Sequence, residues 1–246
     1  MNRFTTFICV AGLALLSACL SNSYGHRPTN CNPDERLDEL LKDYEAAKHD
    51  NKSGGQSDHI LVDCDRIRVE IERLSAEFPQ HVPTLMANAR LSFEVKEPAK
   101  AQRYLDRLFG LQPVHAEAAV LRAQIAIGEG NVPFAKRLLE KQVNYTPDHY
   151  GLRETWSAAL YMSGDLPGAR AQLEVAEKLG APAWRVAFNR GLIAEAVGDK
   201  GEAMKQYEAS VAGNPDFKPA QARLSGKRAE GGYNKPSAPS GKTGGE

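Results

Sequence analysis

The chain has 246 residues, with 31 basic against 31 acidic side chains, 42% hydrophobic, 25% charged and 7% aromatic. That length supports one or two domains with a sizeable core, and the apolar content is too high for a chain disordered throughout. Zero formal net charge excludes a nucleic-acid binder working through a wholesale basic surface. Four cysteines, all within the first 64 residues, exclude a disulfide-dense scaffold.

The first segment reads as an address. Arg3 supplies a positive start, and residues 4–18 form an uncharged, mostly apolar run followed by Ser21, Asn22 and Ser23. A membrane-spanning helix needs about 20 apolar residues, so this shorter run has the layout of a secretory signal. Its end, Leu16-Ser17-Ala18-Cys19, resembles the lipobox of bacterial lipoproteins. The resemblance implies removal of residues 1–18 and acylation, including palmitate, of the Cys19 thiol. Several acyl chains make a stable anchor where one does not. Leu20 in place of aspartate implies the outer rather than the inner membrane, with the protein facing the periplasm.

Residues 19–31 then read as the lipidated cysteine and a tether. With Cys9 in the signal and Cys19 lipidated, Cys31 and Cys64 remain, and outside the cytosol an even pair suggests a disulfide. It would close a loop of about 33 residues, contributing roughly 3–4 kcal/mol on the chain-entropy model. The alternative is metal binding with His49 and His59, although neither CxxC nor HxxxH spacing is present.

A helix is expected over residues 34–49, with Leu37, Leu40, Leu41, Tyr44 and Ala47 on one face, and Asn32-Pro33 as its start. The hydrophilic insertion at residues 50–57 separates it from a second helix carrying Ile67, Ile71 and Leu74. Residues 32–81 therefore read as an irregular first unit.

From there the chain repeats. Ala101, Ala135, Ala169 and Ala203 are spaced by 34 residues. Lys96, Gly130, Gly164 and Gly198 precede them by five positions, and Pro113, Pro147, Ala181 and Pro215 follow by twelve. A small residue stands twelve positions before each alanine (Ala89, Ala123, Ser157, Gly191) and a large one four after it (Leu105, Leu139, Leu173, Tyr207). Each period reads as two helices joined at a left-handed glycine and stopped by proline, with small residues allowing close approach.

This pattern resembles the tetratricopeptide repeat (TPR), over residues 82–217, as four repeats beginning at Val82, Ala116, Tyr150 and Trp184. Departures are Leu85, Ala119, Arg153 and Ala187 at the early consensus tryptophan, and Lys96 at the first turn glycine. The resemblance implies an all-α solenoid, a right-handed superhelix of helix pairs. Residues 218–230 are expected to form a capping helix, and the Gly/Pro/Ser/Lys-rich residues 231–246 a disordered tail.

No phosphate loop, HExxH or nucleophile elbow occurs, and Gly128-Glu129-Gly130 lacks the preceding strand of a dinucleotide loop. His81, His115 and His149 repeat at 34 residues, but successive helix pairs stand at least about 8–10 Å apart, too far for one zinc. They read as residues near the start of each first helix. The TPR resemblance implies a concave groove lined by first helices. Its positions are Met86, Arg90 and Phe93; Val120, Gln124 and Ile127; Glu154, Ala158 and Tyr161; and Phe188, Leu192 and Glu195. Aromatic anchors with sparse polar groups suit a peptide or protein partner. The expectation is a lipid-anchored scaffold, similar to the lipoproteins that assemble pili (tight-adherence or type IV) and secretion machines. It would need no cofactor, metal or nucleic acid and would not be an enzyme. An adaptor for cell-wall enzymes or proteases is the alternative, and an enzyme with an unrecognised site is the less favoured one.

Overall fold

In a computed structural model, which describes residues 32–52 and 58–230, the chain forms eleven α-helices. The expected signal, lipobox and tether, Cys31 among them, and residues 231–246 lie outside the described residues. The helices are α1 (Pro33–Lys52), α2 (Asp58–Glu77), α3 (Val82–Glu94), α4 (Pro98–Leu111), α5 (Ala116–Gly128) and α6 (Val132–Tyr145). They continue with α7 (Tyr150–Met162), α8 (Leu166–Lys178), α9 (Ala183–Ala196), α10 (Lys200–Gly213) and α11 (Lys218–Glu230). Each helix packs mainly on its sequence neighbours, and α1 also packs on α3, α5 on α7 and α7 on α9. This is the TPR solenoid. No helix among the described residues is long and apolar enough to cross a membrane.

The helix boundaries follow from side chains that satisfy exposed backbone amides. His115 and His149 each cap a first helix, with Nδ1 accepting from Ala118 N and Leu152 N at 3.2 Å. The second helices start on Asn131, Asp165 and Asp199, whose side-chain oxygens accept from Phe134, Gly168 and Glu202 amides at 2.9–3.3 Å. His115 and His149 are thus side-chain caps of their helices. At His81 the same position is used differently. Nδ1 lies 2.5 Å from Thr84 Oγ1 and Nε2 donates to Asp34 Oδ1 at 2.9 Å, tying the start of α1 to that of α3.

Within each repeat the first helix ends on a left-handed residue: Gly130, Gly164 and Gly198 at φ 79–83°, and Lys96 at φ 63°. In all four turns the next amide bonds back five residues, as from Glu97 N to Ser92 O and Asp199 N to Ala194 O, both 2.9 Å. Lys96 makes the same turn, so the stack imposes the geometry even where the side chain opposes it. The third repeat leaves its second helix differently. It has Ala181 where the others have proline, and Gly180 at φ 87° provides the stop.

The core confirms the small-against-large pairing. Ala89, Ala123, Ala101, Ala135, Ala169 and Ala203 are fully buried, as are Leu105, Leu139 and Tyr207. Where the large residue is tyrosine, the small one is glycine. A Cβ on Gly191 would stand 2.5 Å from Tyr207 Cε1, closer than any real contact. Ser157, the polar member of the series, donates to Ala169 O at 2.7 Å and so closes α7 on α8.

In the first unit Leu37, Leu40, Tyr44, Ile67, Ile71 and Leu74 form a core that continues into Leu91 of α3. Helix α1 runs past its expected end at residue 49 to Lys52, and α2 starts at Asp58, directly after the expected insertion. Cys64 packs against this core, and burial pushes its thiol pKa up. The expected Cys31–Cys64 bond involves Cys31, which lies outside the described residues.

Candidate functional site: a groove at the carboxyl end of the stack

Helices α5, α7, α9 and α11 together line a depression of about 610 Å³. Of the twelve groove positions expected from sequence, it gathers five: Ile127, Ala158, Tyr161, Phe188 and Leu192. Met162, Asn189, Pro219, Ala222 and Arg223 complete it. This size lies within the range of about 300–1,000 Å³ typical of pockets that hold ligands.

Phe188 is held by a group of rings. It meets Phe217 edge-on at 5.0 Å and 88°, and Tyr207 at 5.9 Å, while Trp184 packs on Phe217 at 4.8 Å. Phe217 comes from the short connection before α11, so the turn that launches the last helix also fixes the groove's aromatic floor. A second tie reaches the opposite wall. Tyr207 Oη donates to Glu195 Oε2 at 2.6 Å, and Arg223 Nη1 donates to both oxygens of the same carboxylate at 3.3 Å. Burial and then the Glu195 carboxylate hold the Tyr207 hydroxyl well above its ordinary pKa, so it stays a donor. This linkage joins α10, α9 and α11.

The remaining expected positions lie elsewhere. Met86 is buried in the first-repeat core, and Val120 packs into the second. Glu154 is interior, accepting from Arg185 Nε at 2.8 Å and Asn189 Nδ2 at 3.2 Å on Oε1. Among the described residues its Oε2 is buried without a hydrogen-bond partner, and burial raises the Glu154 pKa despite the opposing pull of Arg185. Arg90 pairs with Glu117 of α5 at 3.0 Å. Phe93 is an exposed ring at the end of α3, Gln124 is half-buried, and none of these contributes to the depression. Glu195 supports the groove through its bonds to Tyr207 and Arg223.

The contribution of α11 was detectable from the period, since Lys218 stands 34 residues after Trp184. The helix read as a cap begins where a fifth repeat would begin its first helix, and it supplies Pro219, Ala222 and Arg223. Asn189 carried no such signal. Its Nδ2 is engaged by Glu154 Oε1 and by Arg185 O at 3.1 Å, which orients the amide. Among the described residues no group of three or more His, Cys, Asp or Glu is placed to hold a metal.

No protein-family model matches the chain, and no curated protein matches its sequence. Solved structures do match in fold. A thermophilic TPR protein of Thermus thermophilus superposes with a TM-score of 0.63 at 16% identity, covering 80% of this chain and 100% of that one. A tetratricopeptide repeat protein from Parabacteroides merdae gives 0.57 at 17% identity, covering 79% and 80%. PilW, described as a widely conserved type IV pilus biogenesis factor, gives 0.57 at 12% identity, covering 80% and 96%. At these identities the likeness is one of fold, and the architecture common to this chain and these proteins is the TPR solenoid.

Proposed function

We propose that the protein is a lipid-anchored scaffold of the bacterial outer membrane, facing the periplasm, that holds protein partners in the groove of its last repeats. The carrying observation is the groove itself. It is an apolar depression walled by four first-helix positions, with Tyr161 and Phe188 as ring anchors and few polar groups. Such a surface binds by burial rather than by chemistry. The anchor rests on Leu16-Ser17-Ala18-Cys19 and its place at the end of a short apolar run. Assembly of a pilus or secretion machine is the role we favour. The lipobox combined with this fold supports it, and the fold likeness to PilW is consistent with it.

Capture of partners from envelope extract by the full-length protein, compared with Tyr161→Ala and Phe188→Ala, tests the groove. Both variants should lose the same partners, and retention of all of them would remove the groove from the proposal. Incorporation of labelled palmitate, abolished by Cys19→Ser, tests the anchor, and its absence in the unaltered chain would overturn it.

A further inference from the structure

The polar inventory of the groove constrains what can lie in it. Among the described lining residues only Tyr161, Asn189 and Arg223 carry polar side-chain groups. Asn189 Nδ2 is already engaged on Glu154 and Arg185, which leaves its Oδ1 as the amide's open group. A peptide lying extended in the groove would bring about ten backbone donors and acceptors per five residues, and an apolar wall cannot satisfy them. A helix satisfies its backbone internally and presents only side chains, at i, i+3, i+4 and i+7.

Charge narrows the choice. The one charged side chain among the described lining residues is a cation, Arg223, about half exposed. Among the described residues its bonds are those of Nη1 to Glu195, so Nε and Nη2 retain their donors. Glu195 and Tyr207 fix the guanidinium at the rim, and a carboxylate on an incoming chain would meet a pre-positioned fork.

We infer that the groove walled by α5, α7, α9 and α11 seats an amphipathic α-helix of a partner protein, its apolar stripe on Ile127, Tyr161, Phe188 and Leu192 and an acidic residue on Arg223. This rests on the groove's being the binding surface and specifies the form and charge of what it binds. Met162, 55% exposed at the rim, supplies an adaptable thioether contact for such a stripe.

Three labelled 18-residue peptides test it against the full-length protein by fluorescence anisotropy. One is a leucine-striped helix flanked by glutamates, the second the same helix flanked by lysines, and the third the glutamate peptide with a central proline. The glutamate helix should bind at least tenfold more tightly than either of the others. Arg223→Glu should invert the preference between glutamate and lysine peptides. Ala222→Trp, at an exposed lining position whose ring would occupy the groove, should abolish binding with helicity unchanged by circular dichroism. Equal binding of the proline peptide would overturn the helical form, and an unchanged charge ranking in Arg223→Glu would overturn the role of Arg223. If Tyr161→Ala and Phe188→Ala release the envelope partners while no peptide binds, the groove stands as a protein-binding surface and the helical occupant is overturned.

Discussion

At the carboxyl end of the stack Gly191 gives way to the ring of Tyr207, and Tyr207, Glu195 and Arg223 bind three helices together beneath an open groove. At the amino end the same register carries Ala89 and Leu105, Met86 is swallowed by the core, and α1 is fastened to α3 by His81–Asp34 and Lys48–Glu94. The repeat period is identical, yet at the amino end Met86 is withdrawn while Arg90 and Phe93 stay exposed outside any depression, and at the carboxyl end the equivalent residues gather in a groove. The period therefore governs where helices begin and end, while side-chain volume at a few positions governs whether a groove remains between them.

The largest expected effect lies at the carboxyl end. Arg185→Ala would leave the interior Glu154 carboxylate without its cation, costing about 3 kcal/mol in denaturant unfolding at neutral pH. The pKa of Glu154 is raised by burial, so the folded state takes up a proton before the unfolded chain as pH falls. Its unfavourable contribution is full above the folded pKa and relieved toward the ordinary carboxylate value. The deficit of Arg185→Ala should accordingly shrink on acidification over that interval, and a pH-independent deficit would show that Glu154 is not its source.

Next is Gly191→Ala, which should cost about 2 kcal/mol by driving a methyl into the Tyr207 ring. Adding Tyr207→Leu, the residue type of the other three repeats, should restore part of that loss despite removing the bond to Glu195. Strict additivity in the double-mutant cycle would break the proposed size compensation. At the amino end Lys96→Gly should stabilise by about 1 kcal/mol, because lysine holds a left-handed conformation there that glycine adopts freely. A thermal shift of the opposite sign would show that the Lys96 side chain contributes more than its backbone costs. The smallest effect is expected for Lys48→Ala. Both partners of its pair with Glu94 are more than a third exposed, so solvent and salt leave at most about 0.5 kcal/mol.

Much of this architecture was legible because a 34-residue period is a local property, written in alanines, turn residues and prolines. The five groove residues that come together lie on α5, α7 and α9, opposite the wall that α11 supplies. Met86 and Glu154 hold equivalent register positions and are buried, which depends on the size of side chains contributed by adjacent repeats. The histidines show the same division. Their spacing marked them as repeat features, but only the folded backbone shows His115 and His149 accepting from amides while His81 turns to Asp34.

By itself the sequence determined the class of the protein, its helix pairs, the residues packed between them and the start of a last helix at Lys218, read as a cap. These follow from local backbone preferences and small-residue packing within one period. Only the tertiary structure decided that α11 closes a groove rather than merely ending the stack. The same holds for the placing of Arg223 at the rim and for the withdrawal of Glu154 into the interior. Those outcomes depend on contacts roughly one full repeat apart, where the volumes and charges of neighbouring units are matched in space and no local pattern encodes the result.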